Sequence, residues 1–250
     1  MTAIGAALAL LVGFVLGLLG GGGGVLTVPI LVYGLHLPVK AAVPTSLCVV
    51  GLVAAIGFLS HLRQGNVAPR VAMVFAPFAV VAAFAGARLA RYVPSEVQLV
   101  LFAIVGLVAS FFMLRGKRAS ASAEPYAFQA DSRTVALLGI QAVGVGLLTG
   151  VIGIGGGFLI VPALVLVAKV PMRLAVGTSL LVITMNALSG FAGYLGHAPI
   201  DWYLIGWFTS FAAAGTLIGT VASTRVPQQR LRQVFGLLLI GVSLYVLYRR

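Results

Sequence analysis

Two glycine-rich blocks hold the residues of this 250-residue sequence whose types and spacing could do chemistry. Positions 17–31 read GLLGGGGGVLTVPIL, and positions 150–164 read GVIGIGGGFLIVPAL. A glycine inside a helix costs about 1 kcal/mol relative to alanine, so such runs within apolar sequence need a reason. A helix broken there leaves backbone N–H groups unpaired, and without a Cβ an anion can come close to them. The short helix that follows adds the positive end of its dipole. The candidate substrate-binding residues are therefore Gly20, Gly21, Gly22, Gly23 and Gly24 in the first block, and Gly153, Gly155, Gly156 and Gly157 in the second. The competing reading is close helix packing of the small-xxx-small kind. GGGGG exceeds what packing needs, whereas G-x-G-G-G alone does not decide between the two.

Hydroxyls follow each block at the same distance. Thr45 and Ser46 lie past Pro38, and Thr178 and Ser179 lie past Pro171. They could cap or bond an oxyanion, or bond back to their own helix. Asn186, an amide within an apolar segment, needs a buried partner and serves either as helix–helix glue or as a substrate contact. Pro29, Pro38, Pro162 and Pro171 are the expected structural breaks. His61 and His197 sit near segment ends, where imidazoles could assist proton coupling, although neither has an acidic partner in sequence. The acidic residues Glu96, Glu124, Asp131 and Asp201 all lie outside segment centres, which argues against a carboxylate proton relay and a cation site.

Several chemistries are excluded. No acidic residue follows the first block by about 20 positions, as a dinucleotide fingerprint requires, and neither block has the Lys-Ser/Thr ending of a phosphate-binding loop. Cys48 is the only cysteine, so a disulfide within the chain and a cysteine-cluster metal site are both ruled out. No catalytic pair or metal-ligand cluster is visible; the expectation is a non-enzyme with no cofactor and no metal.

The elements that must carry these residues are membrane helices. The chain is 61% hydrophobic and 8% charged, against about 25% charge in soluble domains. The net charge of +12 falls between apolar segments without interleaved aromatics. It reads as topology signal and lipid contact, and nucleic acid is not an expected partner. Apolar segments are expected at 3–19, 41–60, 70–92, 95–114, 134–152, 174–195, 201–223 and 229–248, with short ones at 25–35 and 158–168.

An ungapped series of matches at an offset of 133 residues joins the halves: Gly20 with Gly153, Pro38 with Pro171, Thr45-Ser46-Leu47 with Thr178-Ser179-Leu180, Gly86 with Gly219, and Val93-Pro94 with Val226-Pro227. The series indicates an internal duplication. The repeats are 1–115 and 134–250, joined by a polar linker at 116–133. Placing the second repeat upside down puts 11 basic residues on one face against 5, whereas parallel repeats give 8 against 8. The positive-inside bias favours inversion with a cytoplasmic linker. The expected fold is an all-α polytopic membrane protein. It has two inverted-topology repeats with glycine-broken or re-entrant helices, six to ten passes in total, whose glycine blocks meet at one central site.

The glycine blocks followed by V-P, with the P-x-K-A-x-x-x-T-S and P-x-R-x-A-x-G-T-S stretches, resemble the sulfite exporter TauE/SafE family over about residues 5–245. The resemblance implies a multi-pass inner-membrane protein moving sulfite, a sulfonate or a related organic anion by secondary transport, with protons as the coupling ion. It also implies a site at Gly20 to Gly24, Pro29, Thr45 and Ser46, matched by Gly153, Gly155 to Gly157, Pro162, Thr178 and Ser179. The expected partners are a small anionic substrate, membrane lipid and protons; a homo-oligomer is left open. The expected mechanism is alternating access. The alternative is a membrane assembly or accessory protein whose glycines only pack helices.

Overall fold

Prolines set where the long helices begin. In a computed structural model, which describes residues 3–20, 22–115, 131–153, 157–166 and 168–249, Pro38 and Pro171 stand immediately before two of them in extended conformation, with ψ of 143° and 140°. Proline fixes φ and lacks a donor, so a helix can start after it at no cost in hydrogen bonds. The order is α1 (Ala3–Leu19), α2 (Gly22–Pro29), α3 (Val39–Arg63), α4 (Pro69–Leu89), α5 (Ser95–Arg115), α6 (Ser132–Ile152), α7 (Gly157–Leu166), α8 (Met172–Tyr194), α9 (Trp202–Arg225) and α10 (Gln228–Arg249). No strand occurs among the described residues.

Pro29 and Pro162 behave differently from the expectation of breaks. Pro162 lies inside α7, and Pro29 is the last residue of α2, which continues as a π-helical turn over Ile30–Gly34. A proline forfeits a single i→i−4 bond, and widening the following turn absorbs the clash of its ring.

Among the described residues, seven helices are long and apolar enough to cross a membrane: α3, α4, α5, α6, α8, α9 and α10. The helix α1, with 17 residues, and the α2 segment are shorter. Large apolar side chains such as Met73, Ile140, Ile218 and Leu237 are more than half exposed, as on a lipid-facing surface.

Packing exchanges partners between the halves. The first helix of each half lies on the fourth helix of the other: α1 on α9, and α6 on α4. The two long helices α3 and α8 pack on each other, as do α5 and α10. Glycine makes the first two contacts close. A Cβ at Gly13 or Gly17 would overlap the backbone of Ala212 or Thr216, and one at Gly146 or Gly150 that of Ala79 or Ala83. Residue numbers rise together in these contacts, so α1 runs parallel to α9, and α6 to α4. In contrast, Gly57 meets Leu180 while Leu47 meets Gly190, so α3 and α8 are antiparallel. The helices α5 and α10 are antiparallel too: Ser110 Oγ donates to the Gly236 carbonyl at 2.9 Å, and Gly106 faces Ser243.

Candidate functional site

Each glycine block ends a helix with a left-handed residue. Gly20 (φ +72°) follows α1 and Gly153 (φ +79°) caps α6. A side chain at this φ costs about 1–2 kcal/mol. Space forbids it as well: an added Cβ at Gly20 would press on the Val176 backbone, and one at Gly153 on that of Val43. Each turn is therefore seated on the second turn of the long helix in the other half. Gly23 is also a packing residue, since its open side is filled by α1 at Val12 and Leu16. Gly22, Gly24 and Gly157 lie in the first turns of α2 and α7, while Gly21, Gly155 and Gly156 lie outside the described residues.

The two glycine turns do not meet at one central site, although the short helices that follow them, α2 and α7, touch each other. Gly20 lies at the start of α8, and Gly153 at the start of α3. Because α3 and α8 are antiparallel, those starts are at opposite ends of the pair, separated by roughly 27 Å of helical rise. The cause is the length of α1 and α6, 17 and 21 residues, which carry each turn close to the far end of the bundle. The structure brings the Gly20 turn against Val176 and Ser179, and the Gly153 turn against Val43, one helical turn before Ser46.

The two ends differ in state. At the first, Ser179 Oγ lies 2.8 Å from the Gly20 carbonyl and 2.8 Å from that of Val176, and Thr178 Oγ1 accepts from Ala68 N–H at 2.8 Å. These bonds tie the α3–α4 connection and the glycine turn to α8. At the second end, Ser46 is fully buried and its Oγ has no partner. Thr45 lines a cavity of about 290 Å3 with Ala41, Pro199, Asp201 and Leu204.

Basic residues stand at both ends. Lys40 Nζ donates to the carbonyls of Ala90 (2.8 Å) and Val93 (2.5 Å) at the end of α4. Its counterpart Arg173 donates through Nη2 to Thr224 O at 3.2 Å near the end of α9. Both satisfy carbonyls that a helix end leaves open. Asn186 is buried in mid-α8: Nδ2 donates to Thr149 Oγ1 at 3.1 Å, and Oδ1 has no partner. It bridges α8 to the last turn of α6, at the residue whose carbonyl accepts the Gly153 N–H at 2.8 Å. No group of three metal-ligating side chains occurs among the described residues.

His61, a candidate for proton coupling by its residue type, is matched at the 133 offset by Tyr194. His61 and Tyr194 are both 2% exposed at the ends of α3 and α8. Tyr194 donates to the Gly150 carbonyl at 2.9 Å. His61 faces Gly17, the equivalent of Gly150, without meeting hydrogen-bond geometry, and both its ring nitrogens lack a partner. The signal was available as a shared register of two polar rings, although the residue types differ.

Residues 5–246, nearly the whole chain, match the sulfite exporter TauE/SafE family. The chain belongs to that family. A protein of Xylella fastidiosa (strain 9a5c) named "Probable membrane transporter protein" is 35% identical over 243 residues, covering 96% of this chain and 92% of the relative. "Probable membrane transporter protein YdhB" of Bacillus subtilis is 29% identical over 234 residues, covering 91% and 92%. No solved structure matches. This TauE/SafE family member is thus a multi-pass membrane protein of a transporter family, and its glycine turns and T-S pairs are the features that the two halves repeat.

Proposed function

We propose that the protein is a secondary transporter of a small anion, namely sulfite, a sulfonate or a related organic anion, working by alternating access across the inner membrane. The observation that carries this reading is the inequality of two sequence-equivalent ends. The Thr178–Ser179 end is bonded shut, while at the other end Ser46 is buried without a partner and Thr45 lines an open cavity. A transporter caught in one of two states has this asymmetry, because the halves exchange roles in the other state. The family description supports sulfite as the first substrate to test.

The repeats are inverted in this reading, with α1–α2 and α6–α7 as re-entrant hairpins and the central linker cytoplasmic. Support comes from the antiparallel pairing of equivalent helices, α3 with α8 and α5 with α10. A twofold axis along the membrane normal would make such pairs parallel. The anion meets hydroxyls and the N–H groups at the start of α2 or α7, and no bond is made or broken. Thr45, Ser46, Thr178, Ser179 and the glycines of both blocks contact it at successive stages, and protons drive the cycle.

The filled glycine faces favour a second reading, an accessory protein whose glycines serve packing alone. The polar cavity at the first end, described below, weighs against it. Flux of radiolabelled sulfite, methanesulfonate and sulfate into proteoliposomes, with and without a proton gradient, decides between them. Transport of at least one is expected, and no flux of any small anion overturns the proposal.

A further inference from the structure

At the closed end, a cavity of about 20 Å3 is lined by His61, Asn66, Arg173, Val176, Ser223, Thr224 and Leu231. That is room for about one water. His61 enters it from the last turn of α3, almost completely buried, with neither ring nitrogen bonded. The Gly177 backbone packs on its Cβ, so the ring cannot retreat toward α8. The Asn66 N–H donates to the His61 carbonyl at 3.0 Å and fixes the helix end. A buried polar side chain without a partner is costly. Asn66, Ser223, Thr224 and Arg173 share the cavity wall with it; the two hydroxyls already donate to the carbonyls of Thr220 and Val221, and Arg173 carries a full charge.

We propose that His61 and Arg173 form a co-binding site for one small oxyanion and one proton, deepening the transport reading on which this rests. The groups facing His61 are few. Arg173 comes from α8, Ser223 and Thr224 from α9, Asn66 from the α3–α4 connection, Leu231 from α10, and the Gly17 carbonyl from α1. None is a carboxylate, so nothing in the wall balances the guanidinium or would balance an imidazolium. An oxyanion supplies that balance. Arg173 is exposed at the mouth and spends one donor on Thr224, leaving donors of its planar fork free for an incoming anion.

With the anion in place, a protonated His61 gains an opposite charge and a hydrogen-bond acceptor. The proton comes from solvent and adds to a ring lone pair, and no bond of the anion breaks. By linkage the coupling is reciprocal: the anion raises proton affinity, and the proton raises anion affinity. Anion affinity therefore falls as pH rises through the titration of His61. The present volume excludes a three-oxygen anion, so binding accompanies separation of the start of α8 from the end of α9. The equivalent position at the other end is Tyr194, a phenol whose hydroxyl donates to the Gly150 carbonyl, so proton coupling belongs to one end only.

The test uses calorimetry of the full chain in nanodiscs, titrated with sodium methanesulfonate or sodium sulfite in two buffers of different ionisation enthalpy. This counts protons taken up per anion; sulfite titrates itself, so its readout is the difference between proteins. The wild type is expected to take up a proton on binding methanesulfonate, and His61→Gln and His61→Tyr none, the latter copying the residue at the equivalent position. Arg173→Gln should weaken binding about tenfold, as loss of a charge-assisted contact does. His197→Gln, on an exposed turn, should match the wild type. Equal proton uptake by the wild type and both His61 variants overturns the co-binding site and leaves anion transport standing. Failure of the wild type to bind or transport any anion overturns both.

Discussion

Ser179 donates to the Gly20 carbonyl at 2.8 Å across the two halves, while its repeat equivalent, Ser46, is buried without a partner near Gly153. One sequence motif thus occupies two states in one molecule. Ser179→Ala should remove about 1 kcal/mol, the ordinary net value of a hydrogen bond. Ser46→Ala removes only a buried hydroxyl with nothing to bond and should leave stability unchanged or slightly raised. Thermal unfolding in detergent compares them, and equal losses of Tm would contradict the asymmetry.

The glycines separate into classes with different expected costs. Gly20→Ala and Gly153→Ala combine a left-handed φ with overlap on the backbones of Val176 and Val43, and both should fail to yield monodisperse protein in size-exclusion chromatography. Gly65→Ala has φ +69° with open space around it, so it should cost only the roughly 1–2 kcal/mol of backbone strain. Gly144→Ala, in α6 and with nothing nearby, should stabilise the helix by about 0.5–1 kcal/mol. Gly23→Val should lose folded protein as well as flux, because its open side is filled by α1.

Much of this arrangement was legible in the sequence. The offset of 133 residues and the prolines at 38 and 171 placed α3 and α8 to within two residues of their starts, and the apolar run at 3–19 is α1 itself. Hairpin depth was not legible. Two glycine blocks related by a repeat suggest one shared midplane site, but α1 and α6 are long enough to carry the turns to opposite ends. Pro162 also misled, because a short helix can lose one bond and continue. The cavity at His61 joins α3, α8, α9, α10 and a connection that are remote in sequence. No local pattern marks it apart from the register with Tyr194.

Orientation is testable without transport. In a Cys48→Ala background, Ser132→Cys at the start of α6 and His197→Cys beyond α8 should react with an impermeant maleimide from opposite sides of sealed vesicles. Labelling from the same side would contradict the proposed topology. Replacing buried Cys48 removes background labelling.

Asn186 separates glue from substrate contact. Its Nδ2 holds Thr149, and its Oδ1 is buried and unpartnered. Asn186→Leu removes that orphan acceptor together with the bond to Thr149, and since α8 and α6 pack at this level the Tm should change by no more than a few degrees. Flux should persist within about fivefold if the residue only bridges helices, corresponding to roughly 1 kcal/mol. Complete loss of flux at unchanged Tm would assign it to the substrate path.

The central claim, that equivalent ends open in turn, is tested most directly by side-resolved cysteine accessibility during transport. Single cysteines at Ser46 and Ser179, in the Cys48→Ala background, are probed with impermeant thiol reagents from each side of sealed proteoliposomes under a sulfite gradient, and again with the gradient reversed. The two positions should react from opposite faces, one rising as the other falls. Reactivity that rises and falls together, or reactivity of both from the same face, would contradict it.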